Sequence, residues 1–243
     1  ELEYQPFPYR SERIVDTPVL EMTAPTVSSF HYGYGAGGEF RPMSYSVGGD
    51  VTAALWGPPN GAAATHPAHH GCSAADWAGF PAGAVAMLER GDTESMLAVG
   101  DGCTFAEAAA NAQAGGASAL LLFDANDPQH DTIPRSLRTL GPQAVDLGVT
   151  IPVFAMNFNA VLTIRDALGR TDSTVGSVMV HLAVTKTIRE ITAGNIIATS
   201  RTGDPTQKVV IGSHMDGVTA GPGINDNGSG TSTNLEIALS LAR

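Results

Sequence analysis

Thr104-Phe105-Ala106-Glu107-Ala108-Ala109-Ala110-Asn111-Ala112-Gln113-Ala114-Gly115-Gly116-Ala117-Ser118-Ala119-Leu120-Leu121-Leu122-Phe123 changes period once, and that change decides the fold class. Thr104 is a good N-cap, and Glu107 three residues later completes a capping box, so a helix is predicted from Phe105 to about Ala114. Phe105, Ala108, Ala109 and Ala112 fall on one face of it, and Gly115-Gly116 ends it. Ser118 to Phe123 is then a run of apolar residues short enough for a strand buried on both faces. Upstream, Ala84-Val85-Ala86-Met87-Leu88 reads as a second short buried strand, closed by Glu89-Arg90-Gly91. The middle of the chain is therefore a β-α-β unit.

Its flanks are β-rich. Ile151 to Met156 reads as a strand, Asn159 to Leu168 as a short helix closed by Gly169, and Val175 to Ile188 as strand again, carrying Val178, Val180, Leu182 and Val184. Residues 17–60 hold Gly, Pro and short β-type runs such as Asp50 to Leu55, without a helical period. Residues 61–71 form a predicted irregular loop. At the start, Leu2 to Phe7 is a predicted strand ended by Pro8 and the polar Arg10-Ser11-Glu12. At the end, Asn195 to Ser200 and Lys208 to Ser213 are predicted strands joined by Thr202-Gly203-Asp204-Pro205. Ser229 to Arg243 follows as an amphipathic helix with Leu235, Ala238, Leu239 and Ala242 on one side. One strand cannot bury a face alone, and two strands with a helix do not make a domain. The chain is expected to begin inside a domain and to stop part way through an α/β sheet.

With 243 residues, 43% of them apolar and 15% charged, there is room for one large domain or two modest ones. The net charge of −11 argues against nucleic acid. No run of 18 apolar residues occurs, so no membrane span is predicted. Glu1-Leu2-Glu3-Tyr4 lacks the basic and apolar regions of a signal peptide. Few Lys and Arg beside abundant Gly, Ala and Thr suit a secreted, extracellular protein. Cys72 and Cys103, 31 positions apart, are expected to form one disulfide; the other reading is two unrelated buried thiols. Neither lies in a C-x-x-C.

The chemistry concentrates in Val209-Val210-Ile211-Gly212-Ser213-His214-Met215-Asp216-Gly217 and Gly223-Ile224-Asn225-Asp226-Asn227-Gly228-Ser229-Gly230. The apolar run delivers His214 at a strand's carboxyl end, where α/β sheets place their sites, and the period of two puts Asp216 on the same side. A carboxylate there accepts the second ring N–H of a metal-bound imidazole. Asp226 lies among glycines that let the backbone bring a carboxylate close to an ion. His and Asp are ligand types that Zn²⁺ accepts. H-x-D alone is a common pattern; followed by Asn-Asp-Asn-Gly-Ser-Gly and a helix it is specific. The glycines do not match a P-loop or a dinucleotide fingerprint. Asn227-Gly228-Ser229 matches a glycosylation sequon, which its place beside Asp226 makes an accidental match. His66, His69 and His70 read as an exposed loop, His31 and the strand residue His181 as ordinary histidines, and His130 near Asp127 and Asp131 as a solvated turn.

These two segments resemble the start of the family-28 metallopeptidases, two-zinc enzymes of the leucine aminopeptidase type. Gly71 to Asp76, Cys103 to Glu107 and Asn111 to Ala117 are similar to the protease-associated (PA) domain that those enzymes often carry as an insertion. The resemblance implies a mixed α/β protein: a β-rich α+β PA domain over residues 17–187, inserted into an incomplete three-layer α/β zinc-peptidase domain supplied by residues 1–16 and 188–243. It implies a zinc metallo-aminopeptidase acting on peptides with a free N-terminus. His214 would be a ligand of one of two Zn²⁺ ions, Asp226 would bridge both, and Asp216 would orient His214. It also implies a cis peptide at Asp226-Asn227. The family's paired Glu, a later acidic ligand and a final His have no counterpart here, so this chain by itself is expected neither to bind zinc tightly nor to hydrolyse peptides. An alternative is a PA-type binding or receptor module that keeps the architecture without the activity; the presence of both His214 and Asp226 favours the enzyme.

Overall fold

In the computed structural model, Thr104 caps the helix that follows it from both sides. The Glu107 amide donates to Thr104 Oγ1 at 3.1 Å, and the Thr104 amide donates to Glu107 Oε2 at 2.7 Å. The structure describes residues 1–33, 37–57, 71–89, 102–124, 133, 138–168, 178–204, 206–217 and 221–242. Among them, the strands in chain order are β1 (Leu2–Ile14), β2 (Val19–Ala24), β3 (Ser28–Ser29), β4 (Phe40–Pro42), β5 (Gly49–Trp56), β6 (Val85–Glu89), β7 (Ala119–Phe123), β8 (Val153–Met156), β9 (Met179–Val184) and β10 (Lys186–Ala198). The α-helices are α1 (Phe105–Ala114), α2 (Gln143–Asp146), α3 (Phe158–Ala167) and α4 (Gly230–Leu241). His66, His69, His70, Asp127, His130 and Asp131 lie outside the described residues. So do Gly169, residues 175–177, Pro205 and Arg243.

The chain divides into two compact units, residues 12–189 and residues 1–11 with 190–243. The first is built on a mixed sheet with the order β3-β2-β9-β5-β6-β7-β8-β4. β5, β6, β7 and β8 run parallel, which the α1 crossover between β6 and β7 makes possible. All five residues of β7 are buried, and each of its three leucines contributes about 1.5–3 kcal/mol by leaving water. Leu120 and Leu122 face Phe105, Ala109 and Ala112 of α1 and Ala144 of α2. Leu121 and Phe123 join Ala160, Val161 and Ile164 of α3 in the core on the other face. Along β9 burial alternates, with Val180, Leu182 and Val184 inside, as a strand with one wet face requires. The mixed α/β class expected from residues 84–123 is what the structure has.

Two glycines end α1 for different reasons. A Cβ on Gly115 would lie 2.9 Å from the Cβ of Trp77, and Gly116 adopts φ +94°. Cys72 and Cys103 form a disulfide with their Cα atoms 5.4 Å apart. Lys186 is nearly fully buried and donates to the Met43 carbonyl at 2.8 Å and the Ser46 carbonyl at 2.9 Å. Its ammonium is 3.5 Å from Glu12, which in turn accepts the Tyr45 amide. That satisfies a charge too costly to leave unpaired in the interior.

The structure corrects the sequence in three places. β1 does not stop at Pro8 but continues to Ile14. Glu1 and Thr199 exchange both backbone hydrogen bonds, the mark of an antiparallel bonded pair. In that register odd-numbered residues of β1 face β10, so Pro6 and Pro8 fall on the outer edge, where a missing N–H costs no ladder bond. Asn195 to Ser200 is not a separate strand; all but its last two residues form the end of β10. Lys208 to Ser213 is not a strand: among the described residues it has no ladder partner, and Val209 and Val210 are 89% and 90% exposed. A strand is a relation between neighbours, and apolar composition alone does not supply the neighbour. α4 forms where expected, yet it buries no residue among those described, and Leu235 is 61% exposed.

Candidate metal centre

Residues 206–217 bring His214 beside the turn that precedes α4. Gly223 makes the approach possible: at φ +72° a Cβ there would sit 3.0 Å from the Asp226 carbonyl and 3.1 Å from the Asp216 carbonyl. Only a residue without a side chain admits both backbones. The turn Ile224–Ser229 is closed by the Gly228 amide donating to the Gly223 carbonyl at 2.9 Å. Inside it Asp226 and Asn227 leave helical geometry, and the peptide between them is cis.

His214 stands between two carboxylates. Its Nε2 is 3.0 Å from Asp226 Oδ1, and its Nδ1 is 3.0 Å from Asp216 Oδ1. Among the described residues the imidazole is half exposed and the Asp226 side chain is 92% exposed. Partial desolvation lowers the affinity of His214 for a proton. The charge of Asp216, the hydrogen bonds to Asp226 and Asp216 and the charge of Asp226 together outweigh it, and the pKa lies above the ordinary imidazole value.

The three residues singled out in the sequence are thus side by side. Their donor chemistry fits zinc: two atoms bound to one tetrahedral ion at about 2.1 Å would stand about 3.4 Å apart. His214 Nε2 and Asp226 Oδ1 are a few tenths of an ångström closer than that. Among the described residues no group of three or more His, Cys, Asp or Glu converges on one point. His31 pairs with Glu39 at 2.9 Å and His181 with Asp50 at 3.0 Å, each a single ion pair on the surface of the other unit.

Sequence reasoning missed the hydroxyls around the site. Thr231 Oγ1 is 3.1 Å from the carbonyls of both His214 and Asn227. Ser213 Oγ donates to Thr231 Oγ1 at 3.3 Å, and Asn234 Nδ2 donates to Ser213 Oγ at 2.9 Å. The available signal was weak: a Ser/Thr-rich first turn, which back-bonding to carbonyls four residues earlier already explains.

Residues 195–243 match the model of Peptidase family M28, and residues 59–164 match the PA domain. Aminopeptidase of Pseudomonas aeruginosa (strain UCBPP-PA14) is 32% identical over 98% of this chain and 40% of its own length. Probable leucine aminopeptidase 2 of Aspergillus fumigatus is 33% identical over 71% of this chain and 30% of its own. Probable lipoprotein aminopeptidase LpqL of Mycobacterium tuberculosis is 31% identical over 84% and 35%. The chain spans about 40% or less of the length of these curated relatives. The structure of the aminopeptidase from Aneurinibacillus sp. strain AM-1 shares its fold with 98% of this chain, using 48% of its own, at a TM-score of 0.61 and 20% identity.

Proposed function

We propose, from matches to the PA domain over residues 59–164 and to Peptidase family M28 over residues 195–243, a zinc-dependent aminopeptidase that removes N-terminal residues from peptides by two-metal hydrolysis. The observation that carries the reading is the placement of one imidazole between two carboxylates at 3.0 Å each. His214 and Asp226 would hold the metal, His214 as a ligand of one ion and Asp226 as the carboxylate shared between the two. Asp216 accepts the Nδ1–H of His214, which fixes the tautomer and leaves the Nε2 lone pair for the metal. The chemistry that a zinc pair supplies is Lewis acidity: water activated near neutral pH and a polarised scissile carbonyl.

Residues 1–16 and 188–243 are assigned to the peptidase domain, and 17–187 to the PA region inserted between them. The Cys72–Cys103 bond supports an oxidising, extracellular location. The aminopeptidase names of the relatives in three organisms support the substrate class.

The test is hydrolysis by the protein at its full natural length, loaded with zinc. It should release the first residue of a peptide with a free α-amino group and leave the N-acetylated peptide intact, and Asp226→Asn should abolish the release. A zinc-saturated protein that leaves both peptides whole would point instead to a binding module of the same architecture.

A further inference from the structure

We propose that Thr231 is a positioning residue of the candidate metal centre. Its hydroxyl ties the backbone of His214 to the backbone beside Asp226 and so sets the separation of the two donor side chains. The inference rests on the reading of His214 and Asp226 as ligands.

Thr231 Oγ1 lies at equal distance, 3.1 Å, from the carbonyl of His214 and from that of Asn227, the residue after Asp226. A threonine hydroxyl has one proton and two lone pairs, so it serves both carbonyls by sharing that proton while accepting from Ser213. Asn234 donates to Ser213, Ser213 to Thr231, and Thr231 to the two carbonyls. The donors all run one way. Thr231 and Asn234 stand three positions apart on α4, on one face of the helix, so one rigid element grips the His214 segment at two points.

The bond from Thr231 to Asn227 reaches four residues back, as the neighbouring hydroxyls do, but its bond to His214 spans 17 residues and has no counterpart among them. Ser229, Ser232 and Thr233 each donate to the carbonyl four residues earlier, at 2.8, 2.9 and 3.0 Å. Those bonds are internal to the turn and the helix and do not reach the His214 segment. Among the described residues the His214 side chain is 50% exposed and that of Asp226 is 92% exposed, so the hydrogen bonds between their backbone segments bear on their separation. Donors to one ion must be held within about 0.5 Å. The hydrogen bonds through Thr231 join the two backbone segments that carry them.

The test is the zinc affinity of the protein at its full natural length, by competition with a chromophoric chelator, beside the thermal melt of the metal-free protein. Thr231→Val keeps the side chain's shape and removes the hydroxyl. It should weaken zinc binding by about tenfold or more, the usual effect of losing an outer-shell partner, without moving the metal-free melt. Thr231→Ser keeps the hydroxyl and should restore the affinity. Ser213→Ala, which removes the donor to Thr231 and leaves α4 untouched, should weaken zinc in the same direction and serves if Thr231→Val folds poorly. Wild-type affinity in Thr231→Val, or in Ser213→Ala where the first variant does not fold, overturns the inference. His214→Ala separates the two levels. If it leaves zinc affinity unchanged, the metal-centre reading falls; if it weakens zinc while Thr231→Val does not, only the positioning role falls.

Discussion

His214 shows how much one side chain can report about a site. Its pKa lies above the ordinary value, with desolvation opposing and the charge of Asp216 and the bond to Asp226 prevailing. A raised value means that the charged imidazole is favoured in the folded chain. The attraction is therefore complete below about pH 6.5, the unperturbed value, and is lost as pH rises through the folded one. An NMR titration of the metal-free protein should place the His214 midpoint above that of a free imidazole, and Asp216→Asn should lower it. An unchanged midpoint in the variant would mean that Asp216 does not act on this ring. Zinc binding requires the neutral imidazole, so affinity should rise with pH across the same interval. That His214, Asp216 and Asp226 lie together was legible from their types, spacing and glycine setting. The contacts of Thr231 were not, because they depend on Ser213 and His214 lying against α4, a contact between segments that no local period encodes.

At the scale of elements, the most local signals read best. The capping box of α1 involves residues three apart, and the structure has both of its hydrogen bonds. Thr104 also donates to Gln143 at 2.9 Å, linking α1 to α2. Thr104→Ala should lower stability by about 1 kcal/mol in chemical denaturation, and Thr104→Ser should recover most of it. No change in Thr104→Ala would show that the cap adds nothing beyond tertiary packing. The readings that failed were those that depend on a neighbour. Lys208 to Ser213 has the composition of a buried strand, yet Val209 and Val210 lie almost fully in solvent. Pro8 looked like a terminator because the rule concerns the bonded edge of a strand, and which edge it occupies is settled only by pairing with β10. The four-residue α2 and the 3-10 turn Ala74–Trp77 are too short for any period to announce.

Taken whole, the molecule divides its physics between its units. In residues 12–189 the stability comes from a sheet buried on both faces and a disulfide that closes a separation of 31 residues. Replacing Cys72 and Cys103 by serine should cost about 3–4 kcal/mol, chiefly through the freer unfolded chain, measured as a lower melting temperature under oxidising conditions. A melting temperature equal to that of the wild type would mean that the cross-link adds little. The unit of residues 1–11 and 190–243 carries the candidate chemistry on exposed side chains held by hydrogen bonds. Its decisive measurement is a crystal structure of the zinc-loaded protein with anomalous data at the zinc absorption edge. Zinc density should stand about 2.0–2.2 Å from both His214 Nε2 and an Asp226 carboxylate oxygen. Zinc bound only elsewhere, such as at the His181–Asp50 or His31–Glu39 pair, with His214 and Asp226 turned apart, would contradict the assignment of this site.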